Sequence, residues 1–507
     1  MQLTLRDVKQ ALEYPDGPNA EEPTPGASAD PSLLGKGEDN FLTPPSLTGK
    51  GAGGLGSSGV VFTGISTDTR TLKPGDLFVA LRNAEIDGHQ FIPQALRAGA
   101  AGLVVSQQVV ASLDTPTLRV PDTEVAYGLL ARHWRDRFDI PVIGVTGSVG
   151  KTTTKEMLVA ALSPLGAILK TEASQNNETG VPKALLQLTT EHKAAVIEMG
   201  MRGSGQIAYL CGIARPTIGV ITLIADNHLE LLGSWDAIAD AKGELLESLP
   251  ADGLAVLNAE DSYLPYLRAK TAAQVVEYGG EDVHPVRLGS LPFPVREGLR
   301  MLLNPSLTGE GGEERDGRGF DGWQFTVRSV PVQIHTLSRH DISNALAALA
   351  VAEALGVKLA DAADALKAYT PPPMRMQVIK TANGVTILND AYNAAPASVK
   401  SALETLISYD GGRKIAFLGD MRELGARADE AHRELGSVID ELGGLDALYT
   451  VGGLAAQIPN AAQRFADSED AARFAREALT VQPGDVILVK GSRAMSMEKI
   501  VEALHGS

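Results

Sequence analysis

The sequence predicts an α/β protein of three domains: a small α/β N-terminal domain, a central domain with a parallel sheet, and a Rossmann-like C-terminal domain. Its length of 507 residues exceeds what one hydrophobic core usually accommodates. Short apolar runs alternate with helical patterns along most of the chain, which is typical of parallel sheets covered by helices. A glycine-rich loop joins one such run to a helix. We expect the domains at residues 1–138, 139–373 and 374–507.

The N-terminal domain is predicted from short apolar runs that follow residue 60. Before them, residues 3–12 have the pattern of a short amphipathic helix. Strands are expected at residues 76–81, 102–106 and 117–120, with a helix at residues 91–98.

Two low-complexity segments interrupt these patterns, at about residues 15–59 and about residues 281–321. The first is dominated by Pro, Gly, Ser, Asn and acidic residues, which bury too little apolar surface to offset the entropy of ordering. Similar peptides begin at Pro31, Pro45 and Pro305. We interpret them as copies of one mobile or expanded peptide in preference to a binding motif. Both segments should be disordered surface insertions that the fold does not need.

Composition and charge argue against several functional classes. The net charge of −17 disfavours general nucleic-acid binding, which needs a basic face, but not a local basic pocket for an anionic substrate. The single Cys211 cannot form an internal disulfide, and the first residues lack the pattern of a signal peptide. No run of about eighteen apolar residues offers a membrane span. We therefore expect a cytoplasmic protein.

The glycine-rich loop lies in residues 139–157, which read DIPVIGVTGSVGKTTTKEM. The order is buried strand, loop, helix. Gly147 and Gly150 let the backbone N–H groups point at phosphate oxygens, Lys151 supplies a positive charge, and Thr152 offers a hydroxyl to Mg²⁺. The usual first glycine of this motif is missing, so a plain glycine turn before a helix is the alternative. The pattern favours an ATP-binding loop.

The remaining strands and helices alternate as a doubly wound sheet requires. In the central domain we expect strands at residues 194–197, 217–224 and 254–257, and helices at residues 125–138 and 344–355. In the C-terminal domain we expect strands at residues 414–418, 447–451 and 485–489. Three prolines at residues 371–373 are predicted to form the linker between the central and C-terminal domains.

Three polar residues follow buried segments of the central domain: Glu198, His228 and Lys242. Ligands of such sheets collect at the carboxyl ends of the strands, so Glu198 and His228 should face the same crevice as Lys151. A carboxylate and an imidazole beside ATP phosphates predict divalent metal ligation, with Mg²⁺ expected. Each has a structural alternative: a helix cap or salt-bridge partner for Glu198, a structural role for His228, and a solvated ion-pair partner for Lys242.

Motifs in all three predicted domains carry a resemblance to a known family. The first domain contains STDTR, KPGDLFVAL and DGHQFI; the second contains TGSVGKTTTKE, NNETGVP, IEMG, NHLELLGS and AKGE; the third contains NDAYNAAPAS, FLGDMRELG and LVKGSRAMSME. In order and spacing these segments resemble the Mur ligase family of ATP-dependent amide-bond synthetases. Together they cover nearly everything outside the two insertions.

The resemblance implies roles for particular residues. Those implied to bind ATP are Thr146, Gly147, Ser148, Val149, Gly150, Lys151, Thr152, Thr153, Asn344 at adenine, Arg375 at the γ-phosphate and Asp390 at the ribose. Those implied to bind the UDP-linked substrate are Ser66, Thr67, Asp68, Thr69, Arg70, Asn176 and Asn177. The implied metal ligands are Thr152, Glu198, His228 and a carbamylated Lys242. The implied catalytic residues are Lys151, His228, Lys242 and Arg375.

The resemblance also implies a reaction and its partners. The expected substrates are UDP-N-acetylmuramoyl-tripeptide and D-alanyl-D-alanine, joined through an acyl phosphate to give a pentapeptide precursor of peptidoglycan. ATP and two Mg²⁺ ions are the expected cofactors. Because Arg375 and Asp390 belong to a different domain from the loop, we expect that domain to close on the loop from an open form without ligands. A monomer is expected.

Some positions depart from the family pattern, and other classes compete with this assignment. Asp341 and Ala395 stand where the family commonly has asparagine, and Ser174-Gln175 differs from the usual sequence. One alternative is the Mur ligase that acts one step earlier and forms the tripeptide. That ligase carries an Asp-Asn-Pro-Arg segment, which does not occur in this sequence. A folylpolyglutamate-type synthetase would lack the first-domain motifs. A non-catalytic ATP-binding module would have no need of Glu198, His228 and Lys242 together.

Overall fold

The computed structural model describes residues 1–13, 60–83, 87–108, 115–173, 175–225, 229–279, 322–338 and 340–505. Nearly all of both predicted insertions lies outside these residues, as do His228 and Ser174. The chain groups into two compact units. The first comprises Met1–Gly144, Ala167–Met201 and Gly205–Pro216, and the second comprises Val145–Gly166, Arg202–Ser204 and Thr217–Ser507.

The N-terminal part contains the small α/β layer that the sequence predicts. A short antiparallel pair is followed by four parallel strands in chain order. Its strands are β1 (Leu3–Thr4), β2 (Val61–Phe62), β3 (Ile65–Ser66), β4 (Leu77–Val79), β5 (Gly102–Val105) and β6 (Thr117–Arg119), and its helices are α1 (Leu5–Leu12), α2 (Ile92–Arg97) and α3 (Thr123–Arg135). Helix α1 is capped by Thr4, the residue before it, whose side chain accepts a hydrogen bond from the Asp7 amide in a capping box.

The next strands and helices alternate as predicted. They are β7 (Val142–Thr146), α4 (Lys151–Leu162), β8 (Ala167–Lys170), α5 (Gly180–Leu185), β9 (His192–Glu198), α6 (Gln206–Ala214), β10 (Ile218–Ile221), α7 (Leu229–Leu232), α8 (Trp235–Glu247), β11 (Leu254–Asn258), α9 (Leu264–Arg268) and β12 (Gln274–Tyr278). The six strands have the order β12-β11-β10-β7-β9-β8. Every residue of β7, β10 and β11 is buried, which explains their uninterrupted apolar sequences.

The next elements of the second unit are an antiparallel hairpin that the sequence analysis did not foresee and two helices that pack against α4. The hairpin is formed by β13 (Trp323–Val327) and β14 (Val330–Ile334), and the helices are α10 (His340–Ala354) and α11 (Leu359–Leu366). Helix α10 begins four residues before the predicted start and packs against α4. Its alanine-rich sequence presents small side chains that let the two helices approach closely.

The C-terminal part is a Rossmann-like sheet with one antiparallel edge strand. Its elements are β15 (Gln377–Lys380), β16 (Thr386–Asp390), α12 (Pro396–Ser408), β17 (Lys414–Gly419), α13 (Ala428–Leu442), β18 (Ala447–Val451), β19 (Gln463–Phe465), α14 (Ser468–Glu477), β20 (Val486–Lys490) and α15 (Glu498–His505). The strand order is β15-β16-β20-β17-β18-β19, with apolar cores on both faces. The α/β class is therefore confirmed. Within the described ranges, no helix is long and apolar enough to cross a membrane.

Candidate nucleotide-binding site

The loop after β7 curls around its own lysine. Gly147 has φ of +145° and Gly150 has φ of +87°, which side-chain-bearing residues rarely adopt. The Lys151 ammonium donates to the Gly147 carbonyl oxygen at 2.7 Å and to that of Ser148 at 3.4 Å. Helix α4 begins at Lys151, so its N-terminal N–H groups open onto the loop. This arrangement is the one expected of a phosphate-binding loop.

Thr222, which the sequence analysis assigned to the interior of a strand, holds the loop in place. Strand β10 ends at Ile221, so Thr222 is the first residue beyond it. Its hydroxyl donates to the Val149 carbonyl oxygen at 2.5 Å, and its amide donates to the Thr146 carbonyl oxygen at 3.0 Å. A Cβ atom on Gly147 would lie 1.9 Å from the Thr222 Oγ1 atom. A polar residue inside an otherwise apolar run was the signal that could have identified it.

Ser148 fixes the other side of the loop. Its amide donates to the Leu223 carbonyl oxygen at 2.7 Å, and its hydroxyl donates to the Ala225 carbonyl oxygen at 2.9 Å. The Ala225 amide in turn donates to the Ser148 hydroxyl at 2.9 Å. These bonds tie the loop to the segment that follows β10.

Lys242 lies beneath the same loop. It is on α8, is 1% exposed, and its ammonium donates to the Gly147 carbonyl oxygen at 3.0 Å. Burial, and then the positive charge of Lys151, lower the pKa of Lys242 well below its ordinary value. The alternative of a solvated ion-pair partner is therefore wrong.

Asn344 belongs to a buried hydrogen-bond network that joins α10 to α4. Its Oδ1 atom accepts from the Thr154 hydroxyl at 3.0 Å, and its amide nitrogen donates to Asp341 Oδ1 at 2.9 Å. The second Asp341 oxygen accepts from the Thr336 hydroxyl. A Cβ atom on Gly150 would lie 2.6 Å from Asn344 Oδ1, so this side chain also borders the loop. Burial raises the pKa of Asp341 to about 6.

Arg375, from the segment after the three prolines, reaches the loop. Its Nη2 atom lies 3.4 Å from the Thr152 hydroxyl oxygen, to which it donates. Its guanidinium carbon lies 3.9 Å from the centroid of the Tyr392 ring. The structure thus has a contact between Arg375 and the loop. The open form without ligands stays a prediction.

Asp390 is engaged by groups of the C-terminal part. It pairs with Lys490 in register across β16 and β20, and their side chains form an ion pair at 2.5 Å. Its other carboxylate oxygen accepts from the Met376 amide at 3.1 Å. Lys490 also donates to the Asn393 carbonyl oxygen at 2.9 Å. The ribose contact of Asp390 stays a prediction.

In the first unit, Glu198 and Asn176 lie together. Glu198 ends β9 and is 2% exposed, and its Oε1 atom accepts from the Asn176 amide nitrogen at 2.8 Å. The Asn176 carbonyl oxygen accepts from the Gly200 amide at 2.8 Å. Asn177 accepts from the Gly180 amide at 3.0 Å, next to the start of α5. Two of the residues predicted from separate motifs therefore form one contact.

The STDTR segment forms a compact turn after β3. The Ser66 hydroxyl accepts from the Asp68 amide at 3.2 Å and donates to the Asp68 carbonyl oxygen at 3.0 Å. The Arg70 guanidinium pairs with the Asp68 carboxylate at 2.7 Å and 2.9 Å, and the bonds from Arg70 lower the pKa of Asp68 to about 2. Thr67 and Thr69 are half-buried within the turn.

The second unit thus brings together most of the predicted nucleotide site: the loop from Thr146 to Thr153, Lys242, Asn344 and Arg375. His228 lies outside the described residues. Among the residues that are described, no group of three His, Cys, Asp or Glu side chains is close enough to hold a metal ion.

Family models match three consecutive regions of the chain. The Mur ligase family catalytic domain matches residues 61–135, the Mur ligase middle domain matches residues 145–352, and the Mur ligase glutamate ligase domain matches residues 374–493.

Similar proteins cover most of the chain. A UDP-N-acetylmuramoyl-tripeptide--D-alanyl-D-alanine ligase from Synechocystis sp. is 38% identical over 88% of this chain and 93% of its own length. The ligase of the same name from Escherichia coli is 34% identical over 89% and 96%.

Solved structures agree with these matches. MurF from Acinetobacter baumannii superposes with a TM-score of 0.77 at 30% identity, covering 89% of this chain and 95% of that one. MurF ligase from Thermotoga maritima in complex with ADP gives a TM-score of 0.72 at 28% identity, covering 87% and 97%. The three-domain architecture and the use of ATP follow from these matches. The chain belongs to the Mur ligase family.

Proposed function

We propose that this protein joins D-alanyl-D-alanine to UDP-N-acetylmuramoyl-tripeptide with conversion of ATP to ADP. The observation that carries the proposal is the match to ligases of that name over 88% to 89% of the chain, which includes motifs of all three domains. The product is the pentapeptide precursor of peptidoglycan. We place the protein in the cytoplasm as a monomer, and we place its domain boundaries after residues 138 and 373.

The ATP phosphates are proposed to lie on the loop. Backbone N–H groups from Gly147 to Thr153 face them, and Lys151 changes partner from its own loop carbonyls to a phosphate oxygen. Arg375 approaches the γ-phosphate from beside Thr152. Asn344 borders the loop at Gly150 and is proposed to contact adenine, while Asp390 is proposed to contact the ribose. The support for the roles of Asn344 and Arg375 is that both side chains border the loop within the second unit.

The chemistry needs positive charge at the phosphates. A carboxylate is a poor electrophile at neutral pH, so the terminal carboxylate of the tripeptide first attacks the γ-phosphorus of ATP, giving an acyl phosphate and ADP. The amine of D-alanyl-D-alanine then attacks the acyl carbon, and phosphate leaves. Lys151 and Arg375 offset the repulsion between the anions and the charge that develops during transfer. The substrate is held by Ser66, the turn that follows it to Arg70, and Asn176 with Asn177.

Mg²⁺ is the proposed metal ion. Thr152 and Glu198 are proposed as two of its ligands, because hydroxyl and carboxylate oxygens are donors of the kind that Mg²⁺ prefers. His228 and Lys242 are the other proposed ligands, and two ions are proposed. Bound Mg²⁺ would neutralise phosphate charge during transfer.

Lys242 is proposed to be carbamylated. Its buried ammonium is disfavoured by the lack of solvent and by Lys151, so the neutral amine that reacts with carbon dioxide is populated at a lower pH than in water. The carbamate would be an anion, which suits a position near the Lys151 ammonium and the proposed role as a metal ligand. Incorporation of ¹³C-bicarbonate, followed by NMR, should give a carbamate signal that the Lys242→Met variant lacks; the same signal in both proteins would contradict the assignment.

The proposed activity is tested by phosphate release from ATP in the presence of UDP-N-acetylmuramoyl-tripeptide. D-alanyl-D-alanine should support release and an amide product of the expected mass, whereas single amino acids should not. The Lys151→Met variant is the matched control for ATP use. Release with UDP-N-acetylmuramoyl-dipeptide and meso-diaminopimelate or lysine, but not with the dipeptide acceptor, would refute the proposal.

A further inference from the structure

The backbone on both sides of Arg375 adopts an unusual conformation. Met374 has φ of +60° and Met376 has φ of +47°, so two methionines, whose side chains are long and unbranched, are in the left-handed region. Such residues persist only where surrounding contacts hold them, and they concentrate at functional sites. The conformation makes a tight turn whose central side chain is Arg375.

Three contacts hold this turn. The Met374 carbonyl oxygen accepts from the Tyr392 amide at 3.2 Å, and the Met376 amide donates to Asp390 at 3.1 Å. The Arg375 amide donates to the Pro372 carbonyl oxygen at 3.2 Å. Two of these contacts therefore come from Asp390, the last residue of β16, and from Tyr392 shortly after it.

The Tyr392 side chain adds a contact to the arginine itself. The guanidinium carbon of Arg375 lies 3.9 Å from the ring centroid, within the range of a cation–π contact. The Nη2 atom of the same guanidinium lies 3.4 Å from the Thr152 hydroxyl oxygen. The Tyr392 ring thus occupies one side of the guanidinium. The Nη2 group of the guanidinium is directed toward Thr152 in the first turn of α4.

We propose that Tyr392 is a positioning residue for the ligase reaction, holding the Arg375 guanidinium beside Thr152 through the face of its ring. This inference rests on the proposed function, in which Arg375 approaches the γ-phosphate. An arginine side chain has several rotatable bonds, and fixing it before ATP arrives removes part of the entropy cost of binding the phosphate. The backbone turn fixes the direction in which the Arg375 side chain leaves the main chain, and the Tyr392 ring fixes the position of its guanidinium.

Two substitutions separate the ring from the hydroxyl. Tyr392→Phe keeps the ring face, and Tyr392→Leu removes it; both keep the backbone N–H that binds the Met374 carbonyl oxygen. A desolvated cation–π contact predicts a loss of about tenfold in kcat/KM for ATP in the leucine variant. The phenylalanine variant should stay within about twofold of the wild type. Tyr392→Trp, which also keeps an aromatic face, serves as a second conservative variant if the leucine variant does not fold.

The double-variant comparison tests whether Tyr392 acts through Arg375. Arg375→Ala should itself lower kcat/KM, and adding Tyr392→Leu should cause no further loss. A purely structural role would instead lower the activity of both backgrounds by the same factor. ATP affinity measured by calorimetry, which needs no peptide substrate, should show the same pattern.

The outcomes distinguish this inference from the proposed function. If the wild type fails to use D-alanyl-D-alanine but the ATP affinities follow the pattern above, the proposed function fails and the role of Tyr392 stands. If Arg375→Ala binds and uses ATP as the wild type does, the role of Tyr392 falls with that of Arg375. Equal losses for Tyr392→Phe and Tyr392→Leu, or an additive double variant, would overturn the inference alone.

Discussion

Replacing Asp341 by asparagine should change how the stability of this protein depends on pH. Asp341 is 8% exposed, and its carboxylate accepts from the Thr336 hydroxyl and the Asn344 amide. Burial is the largest influence and raises its pKa from 3.8 to about 6. The two hydrogen bonds and the charge of Arg375 act in the opposite direction, and Asp390 acts in the same direction as burial.

The sign and size of the effect follow from the two pKa values. The folded protein keeps the Asp341 proton up to about pH 6, whereas the unfolded chain loses it near pH 3.8. Between these values the folded state binds more protons, so its free energy of unfolding falls as the pH rises. A difference of about two pKa units corresponds to about 3 kcal/mol. This contribution is fully present below pH 3.8 and is lost above about pH 6.

Urea denaturation followed by fluorescence measures the effect. The free energy of unfolding of the Asp341→Asn variant minus that of the wild type should rise by about 3 kcal/mol between about pH 4 and about pH 7.5. The Asp361→Asn variant, changed at an exposed position of the neighbouring helix α11, is measured beside it as the matched control for removal of a carboxylate. A difference for Asp341→Asn that stays constant, within about 0.5 kcal/mol, would refute the reasoning.

Three further predictions concern the loop. Gly147→Ala should weaken ATP affinity at least about a hundredfold, because its Cβ would meet Thr222 Oγ1 at 1.9 Å; Gly203→Ala, whose Cβ meets nothing within 4 Å, should leave it unchanged. Thr222→Val should weaken ATP affinity about fivefold, since it loses the hydroxyl bond to the loop. Lys242→Met should lower kcat at least about a hundredfold with little change in melting temperature, because the buried stem is replaced by an apolar one. Calorimetry and steady-state kinetics check these values, and wild-type behaviour in any of the three would contradict the corresponding role.

The strands at the site could be predicted because most of their residues are buried and their sequences are therefore largely apolar. Every residue of β7 is buried, so its apolar run is unbroken and ends where the loop begins. The predicted strand at residues 217–224 was longer than the observed Ile218–Ile221, since apolar residues continue beyond the last ladder bonds. That error concealed Thr222 within a strand. An apolar run shows which residues are buried, and buried residues continue past the end of β10 into the segment that contacts the glycine-rich loop.

The contacts of Asn344 and Arg375 could not be predicted from local patterns in the sequence. Asn344 meets Thr154 across 190 residues of sequence, and Arg375 meets Thr152 across 223 residues. No local pattern marks such pairs, because neither hydrophobic periodicity nor propensity encodes a polar contact between distant segments. The left-handed Met374 and Met376 were equally hidden, since methionine carries no preference for that conformation. Only tertiary contacts hold them there.

The two lysines at the loop, Lys151 and Lys242, differ in how deeply their ammonium groups are buried. Lys151 and Lys242 both donate to the Gly147 carbonyl oxygen, so two ammonium groups converge on one acceptor. Both cannot carry full charge there without strong repulsion, and the fully buried one loses most by being charged. Lys242 is the fully buried one, and its pKa is lowered well below its ordinary value, whereas Lys151 is half-buried. Changing Lys242 into an anion would turn this repulsion into attraction, and it would release Gly147 from one of its two donors in the loop where ATP is proposed to bind.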